Sequence, residues 1–385
     1  MIKDNVIKQV EAIQKSGTVY IKNIYGGQIE IKKSAVIIFG EKNLLTPTGD
    51  SQWYNEIENI SATKLLNVYK VEAAIGSDPE LFFVRGDEVV PSKLVVPAGG
   101  SGGVIRDGFQ GELNPSANGC RQTAGSNIAN AFLEAVRLAR EAGTEVSMKI
   151  GHRMPDSVWK STPMAMRRFG CNPTENAHEL RFHRVTGLRE RFRAAGGHIH
   201  IGLSRGTMND PAKLVSIMDI VAGNTCVLVD RDPDNAERRK NYGRAGEYRI
   251  KPYGIEYRVL SNFWLKSYTL WSMASVLVRN AASIYSVGFA DELLARFDMA
   301  KVRKAINTND FELAKENFLI LSDFLKEKKA YGHGLNAARV DRFFRWATQK
   351  ADPLAQWDTL DKTINSWENK RHQSGVGFES FIDYK

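Results

Sequence analysis

Four side chains able to hold a metal ion and an anion fall in two short stretches. In R-A-A-G-G-H-I-H-I-G, His198 and His200 stand two residues apart, and the period of a strand puts both imidazoles on one face with Ile199 and Ile201 behind them. In G-E-Y-R-I-K-P-Y-G-I-E-Y-R-V-L-S-N, Glu256 and Arg258 share a face by the same spacing, backed by Ile255, Tyr257 and Val259. Further acids lie upstream: Asp78 and Glu80 in A-A-I-G-S-D-P-E-L-F-F, then Asp107, Glu112 and Asn114 in I-R-D-G-F-Q-G-E-L-N-P. Taken alone, Asp78 and Glu80 read equally well as solvated edge charges.

Carboxylates with a His and no thiolate favour magnesium or manganese held largely by oxygen, with positions open for substrate phosphates. Arg238, Arg239, Arg244 and Arg249 lie just before the Glu256 strand. They are natural partners for a triphosphate, because the guanidinium fork matches phosphate oxygens; otherwise they form a solvated loop. Metal, carboxylates and arginines together point to ATP. A carboxylate–amine ligase needs such a set, since its catalysis is positioning and charge neutralisation without a Ser or Cys nucleophile. A zinc site assembled from His152, Cys171, His178 and His183 matches no common ligand spacing.

These residues need elements to position them. The segment from Glu72 onward predicts strands at the Asp78 and Glu112 motifs, a helix over Thr123 to Glu141 and a strand over Glu145 to Ile150. The Gly-rich stretch Ala98 to Gly103 lacks the pattern of a phosphate-binding loop and reads as a flexible lid or loop. The irregular stretch around G-C-N-P-T-E-N-A (Gly170 to Ala177) reads as a substrate-facing loop. Asp210 and Pro211 open a helix to about Val229, with Met218 in its core stripe. Helices are further expected over Trp264 to Val287, Asp291 to Phe297, Lys301 to Ile306, Phe311 to Lys326 and Val340 to Thr348, with Trp357, Trp367, Phe378 and Phe381 available for packing. Before Glu72 the pattern gives a helix from Asp4 to Lys15, a hairpin of Val19 to Ile24 with Gln28 to Ile31 across Gly26-Gly27, and a strand from Val36 to Phe39.

At 385 residues the chain has room for two or three units. The expected division is a small β-rich module over 1–71, a catalytic core over 72–288 and a helical region over 289–385 packed on it. The net charge of +9 suits anionic ligands, though scattered basic residues serve solubility equally well. Three dispersed cysteines, Cys120, Cys171 and Cys226, indicate no disulfide framework and suit a reducing cytosol. The N-terminus has no apolar core of signal-peptide length, and Lys266 and Arg279 interrupt the most apolar helix, so a soluble protein is expected.

In combination, G-S-D-P-E-L-F-F (Gly76 to Phe83), D-G-F-Q-G-E-L-N (Asp107 to Asn114), G-C-N-P-T-E-N-A, R-A-A-G-G-H-I-H-I-G and G-I-E-Y-R-V-L-S-N-F (Gly254 to Phe263) resemble the phage-type COOH–NH2 ligase (amidoligase) family. That family belongs to the glutamine synthetase and glutamate–cysteine ligase superfamily. The resemblance covers Ala73 to Ser286 and leaves the first seventy or so residues and the last hundred uncovered. It implies an α+β fold with a curved antiparallel sheet, or half-barrel, holding metal and ATP on its concave face. By motif, it implies Asp78, Glu80, Glu112, His200 and Glu256 as metal ligands, with His198 beside them and the choice between the two histidines open. It likewise implies Arg244, Arg249 and Arg258 toward nucleotide, and Arg258, Arg249 and His198 in catalysis. Two departures stand out: Asp78 where superfamily members usually offer Glu, and Thr174 where relatives are expected to have an acid.

The expected activity is an ATP- and Mg2+- (or Mn2+-) dependent ligase forming an amide or peptide bond through an acyl phosphate. It would be phage-encoded and act in the host cytoplasm on small-molecule or peptide carboxylates and amines. A metal-dependent phosphohydrolase would use the same ligands. A non-catalytic virion or nucleic-acid-associated protein would keep the scaffold and use the +9 charge. No membrane partner is expected, nucleic acid is disfavoured, and no oligomer interface is legible.

Overall fold

The computed structural model describes residues 18–22, 28–32, 74–118, 121–167, 174–179, 190–203, 209–286, 288–328 and 337–372. Strands β1 (Thr18–Lys22) and β2 (Gln28–Lys32) form the expected antiparallel hairpin. The helix over Asp4 to Lys15 and the strand over Val36 to Phe39 lie outside the described residues.

The Asp78 motif forms two strands rather than one. Strand β3 (Ala74–Ser77) stops at Asp78-Pro79 and β4 (Glu80–Arg85) resumes beyond. Pro79 has no N–H to give a ladder, so the interruption falls where the sequence requires it. A tight turn leads to β5 (Glu88–Val90), and β6 (Val104–Asp107) pairs with β7 (Gln110–Leu113) across Gly108 and Phe109. Later strands are β8 (Glu145–Ser147), β9 (Gly151–Arg153), β10 (Glu175–Asn176), β11 (Phe192–Ala194), β12 (Ile199–Gly202), β13 (Glu247–Lys251) and β14 (Gly254–Tyr257).

One antiparallel sheet runs β10–β13–β14–β12–β3, and a second runs β5–β4–β7–β6 with β8 also on β4. They are stitched together at the break. Asp78 N donates to His198 O and Glu80 N to Gly196 O, so the His-x-His strand borders both β3 and the start of β4. From the other side Leu113 N donates to Pro79 O, and Ile75 bridges Asn118. The result is the expected α+β fold, a curled antiparallel half-barrel with helices on one face.

Ile75, Ile199, Ile201, Ile255, Tyr257 and Val259 are fully buried and face the helices, so the alternation read from the sequence sets the core face. Against it pack α1 (Arg121–Glu141) and α4 (Pro211–Met218), which continues through a π turn at Asp219–Asn224. Between them in the chain come the short α2 (Asp156–Ser161), with Val158 and Trp159 on a separate cluster of Phe82, Val89, Phe109, Met154 and Ala195, and α3 (Met164–Arg167). Asp210 caps α4 by accepting from Lys213 N, with Pro211 in the first turn, as the sequence suggests. Then follow α5 (Asp234–Asn241), α6 (Tyr268–Ser286), α7 (Ala290–Ala295), α8 (Met299–Thr308), α9 (Phe311–Lys328), α10 (Ala337–Gln349) and α11 (Leu360–His372).

Two expectations need correction. The Gly-rich stretch is no lid: Ser101 bridges Val104, its hydroxyl donates to Glu134 on α1, and a Cβ on Gly100 would lie 2.8 Å from Val104 O. The Arg238 region is a helix, α5, rather than a loop. The segment around Trp367 is helical and packs on α1, where Trp367 Nε1 donates to Leu265 O at 2.7 Å. Among the described residues no helix is long and apolar enough to cross a membrane.

Candidate active site

The chemistry gathers on the sheet face opposite the isoleucines. Strand register aligns Gly76, His200, Glu256 and Arg249 in one row across β3, β12, β14 and β13. Cross-strand neighbours on one face are close enough to share an ion. Asp78 sits at the end of this row, with Oδ1 3.1 Å from His198 Nδ1 and Oδ2 3.1 Å from His200 Nε2. Ligand atoms of Asp78, His200 and Glu256 all lie within 4.8 Å of one another, a spacing that fits one metal ion. His198 Nδ1 also lies 3.6 Å from Glu256 Oε1, and its Nε2 has no hydrogen-bond partner among the described residues.

Glu80, Asp107 and Glu112 make a second group whose ligand atoms also lie within 4.8 Å of one another. Asp78 and Glu80 therefore belong to different clusters although they are two residues apart, because the break at Pro79 separates them. Asp107 was legible as an acid near the second strand, but only the β6–β7 register brings it to Glu80 and Glu112.

Electrostatics separate the two clusters. Burial works against the charge on Asp78, yet His198 and His200 hold its carboxyl well below the usual range. Burial also opposes ionisation of Glu256, but His198, Arg258 and Arg249 leave its carboxyl lowered overall. For Asp107 and Glu112 in the second cluster nothing offsets burial fully. Burial and the neighbouring Glu80 push Asp107 up to about 6, and burial together with Asp78, Glu80, Asp107 and Glu256 pushes Glu112 up to about 9. A divalent cation is the species that such a crowded oxygen set favours, since it removes the repulsion that keeps the carboxyls protonated.

The cations around Glu256 divide by what they hold. Arg258 Nε is 3.1 Å from Glu256 Oε1, and its Nη1 donates to Thr174 Oγ1. The threonine that departs from the expected acid thus fixes this arginine. Lys251 Nζ lies 2.8 Å from Glu256 Oε2, a contact the sequence reading missed although Lys251 shares a strand face with Arg249. Arg249 Nη1 reaches Glu256 Oε1 at 3.3 Å, while its Nε and Nη2 have no hydrogen-bond partner among the described residues. Two buried donors of that kind suit an anion.

The other three arginines of the cationic stretch do something else. Arg238 donates to the carbonyls of Arg258, Val259 and Leu260, each at 2.9 Å, and is fully buried. Arg239 donates to Asn309 Oδ1, and Arg244 donates to the carbonyls of Arg239 and Lys240 at the end of α5. Arg244 is therefore not brought together with the site as the motif implied. His178 pairs with Asp219 at 2.7 Å behind the sheet, whereas Cys171 and His183 lie outside the described residues.

Comparison with known proteins places this geometry in context. Residues 185–358 match the family model described as "Phage phiEco32-like COOH.NH2 ligase-type 2". Over that span the chain is similar to COOH–NH2 ligase-type sequences. The span is a little under half of the chain. The His198, Arg249, Glu256 and Arg258 motifs lie inside the match, and the Asp78, Glu112 and Thr174 motifs lie before it. The match also runs past Ser286 to residue 358, so it takes in much of the last hundred residues, which the motifs had left uncovered. Among solved structures, one described as "Crystal structure of novel glutamine synthase homolog" is 13% identical, with a TM-score of 0.31, covering 67% of this chain and 71% of its own. No curated protein sequence matched.

Two tyrosines that sequence reasoning passed over also reach these groups. Tyr253 stacks on His200 with ring centroids 5.9 Å apart, its hydroxyl 2.5 Å from Nδ1. Tyr242 donates to Glu80 Oε2 at 2.9 Å. Neither lies on a strand, Tyr253 falling between β13 and β14 and Tyr242 at the end of α5, so strand periodicity does not single them out, and a tyrosine carries no sequence signal of a long reach.

Proposed function

We propose that this chain is an ATP- and Mg2+- (or Mn2+-) dependent carboxylate–amine ligase that forms an amide or peptide bond through an acyl phosphate. The observation that carries this reading is the row His200, Glu256 and Arg249 on three adjacent strands. It sets metal-ligand groups beside a guanidinium with two unsatisfied buried donors. On this reading Asp78, His200 and Glu256 hold one divalent ion, and Glu80, Glu112 and the added Asp107 hold a second. Bound there, the ions supply neutralisation of phosphate charge.

Arg249 binds the transferring phosphate through Nε and Nη2. Arg258, held by Glu256 and Thr174, keeps a fixed positive charge at the metal end, and His198 fixes the Asp78 carboxylate. A substrate carboxylate oxygen attacks the terminal phosphorus in line, the bond to the bridging oxygen breaks, and ADP leaves. The amine then attacks the acyl carbon, phosphate departs, and the amine proton is lost to solvent. Arg244 has no part in this scheme, because its donors are used on backbone carbonyls. The division into 1–71, 72–288 and 289–385, a phage origin, action in the host cytoplasm and small-molecule or peptide substrates belong to the same proposal.

Hydroxylamine tests the scheme without knowledge of the amine. Incubated with ATP, Mg2+ and pools of carboxylates, the chain should release ADP and form a hydroxamate from one pool, and Glu256→Ala should form none. Phosphate release that needs no carboxylate, with no hydroxamate from any pool, would point to a phosphohydrolase instead.

A further inference from the structure

Tyr242 belongs to no motif, yet its side chain touches Glu80 of the second carboxylate cluster and, through its ring, His198 and Arg258 beside the first. It ends α5, where its extended backbone and Gly243, at φ +78°, turn the chain toward β13. A Cβ on Gly243 would lie 2.4 Å from the Arg238 guanidinium, so this turn is close-packed around a buried charge. From it the tyrosine ring reaches forward. The Arg238 guanidinium lies 4.8 Å from its centroid and that of Arg258 5.5 Å, and the His198 ring meets it edge-on at 6.0 Å.

At its tip the hydroxyl is 2.9 Å from Glu80 Oε2 and 2.9 Å from Ala194 O. Glu80 Oε2 accepts two more bonds, from Gln110 Nε2 at 2.8 Å and from Gly196 N at 2.7 Å. Three donors on one oxygen fix the rotation of the carboxylate. Oε1 carries none of these bonds. Ala194 O also accepts from Gln110 Nε2 and lies beside the hydroxyl, whose one proton is shared between Glu80 Oε2 and Ala194 O.

We infer that Tyr242 is a positioning residue that orients Glu80 as a ligand of the second metal site and ties that site to His198 and Arg258, which stand beside the first. The inference rests on the metal reading proposed above and extends it to a residue outside every motif. Outer hydrogen-bond partners of metal ligands commonly set affinity by about tenfold to hundredfold. Of the carboxylates in the two clusters the hydroxyl is bonded to Glu80, so its loss should be felt at one site and not at the other.

Calorimetric titration of the full chain with Mn2+ alone tests this, comparing the native protein with Tyr242→Phe and Glu80→Gln. Two classes of site are expected in the native chain. Tyr242→Phe should weaken one class about tenfold to hundredfold and leave the other within about twofold, with an unchanged melting temperature. Glu80→Gln, which keeps the three donors but removes the charge, should weaken the same class. Two-class binding that Tyr242→Phe leaves untouched, or weakens equally in both classes, would overturn the inference while sparing the metal sites. A Tyr242→Phe chain that fails to fold would also overturn it, by making the hydroxyl structural. A native chain that takes up no Mn2+ would contradict the ligase reading itself.

Discussion

Glu112 is the residue most burdened by its surroundings, and its titration gives a test. Its carboxyl is pushed up to about 9 by burial and four carboxylate neighbours, whereas in the unfolded chain it titrates near 4.5. Between those values the folded chain binds more protons than the unfolded one, so metal-free stability is full below the unfolded value and declines as pH rises toward 9. Asp107, pushed up to about 6, adds to the lower part of that window. Thermal denaturation in a chelator should show a lower melting temperature at pH 8.5 than at 5.5, with Mg2+ narrowing the gap and Glu112→Gln removing much of the slope. A chelated native chain of equal stability at both pH values would contradict this. Arg249→Met should weaken binding of an ATP analogue about tenfold to hundredfold and leave Mn2+ binding nearly unchanged, read by calorimetry. The two histidines, Glu256 and Arg258 were legible because period-two spacing is local. The destinations of Arg238, Arg239 and Arg244 were not, because whether a guanidinium meets a phosphate or a backbone carbonyl is decided by distant chain.

At the scale of elements, the His-x-His strand depends on how closely the backbone can approach its neighbours. A Cβ on Gly197 would lie 2.0 Å from Ser261 O and 2.5 Å from Trp264 Nε1, which itself donates to Gly197 O. Gly197→Ala should therefore cost about 1–3 kcal/mol or more by overpacking and shift His198 off Asp78. Chemical denaturation checks the first effect and Mn2+ titration the second; native stability with native Mn2+ affinity would show that the backbone tolerates the displacement. Helices with an apolar stripe and a cap, such as α1 and α4, were readable to within a few residues. The α5 and α11 helices were not, since α5 carries four charged residues around a buried arginine and α11 presents few apolar positions besides Ile364 and Trp367. The split of the Asp78 strand was written in Pro79, but its effect, sending neighbouring acids to separate clusters, depends on pairing with β7 and β12.

Across the whole molecule, one hydrophobic cluster extends from Ile75 and Ile199 on the sheet through Trp271 on α6 to Phe343 on α10 and Trp367 on α11. The family match likewise crosses residue 288. Trp367 is fully buried with its indole bonded to Leu265 O, so Trp367→Ala should cost about 3–5 kcal/mol and lower the melting temperature of the site-bearing sheet along with the C-terminal helices. Two separate transitions, with only one moved by the substitution, would mean that the regions fold independently. The account turns, however, on whether the clustered carboxylates and Arg249 take metal and nucleotide together. Calorimetric binding of a non-hydrolysable ATP analogue in the presence of Mg2+ is the most direct measurement, on the native chain, Glu256→Ala and His200→Ala. The account predicts Mg2+-dependent binding that both substitutions abolish while the variants remain folded. Absence of binding by the native chain, or binding indifferent to both substitutions, would contradict it.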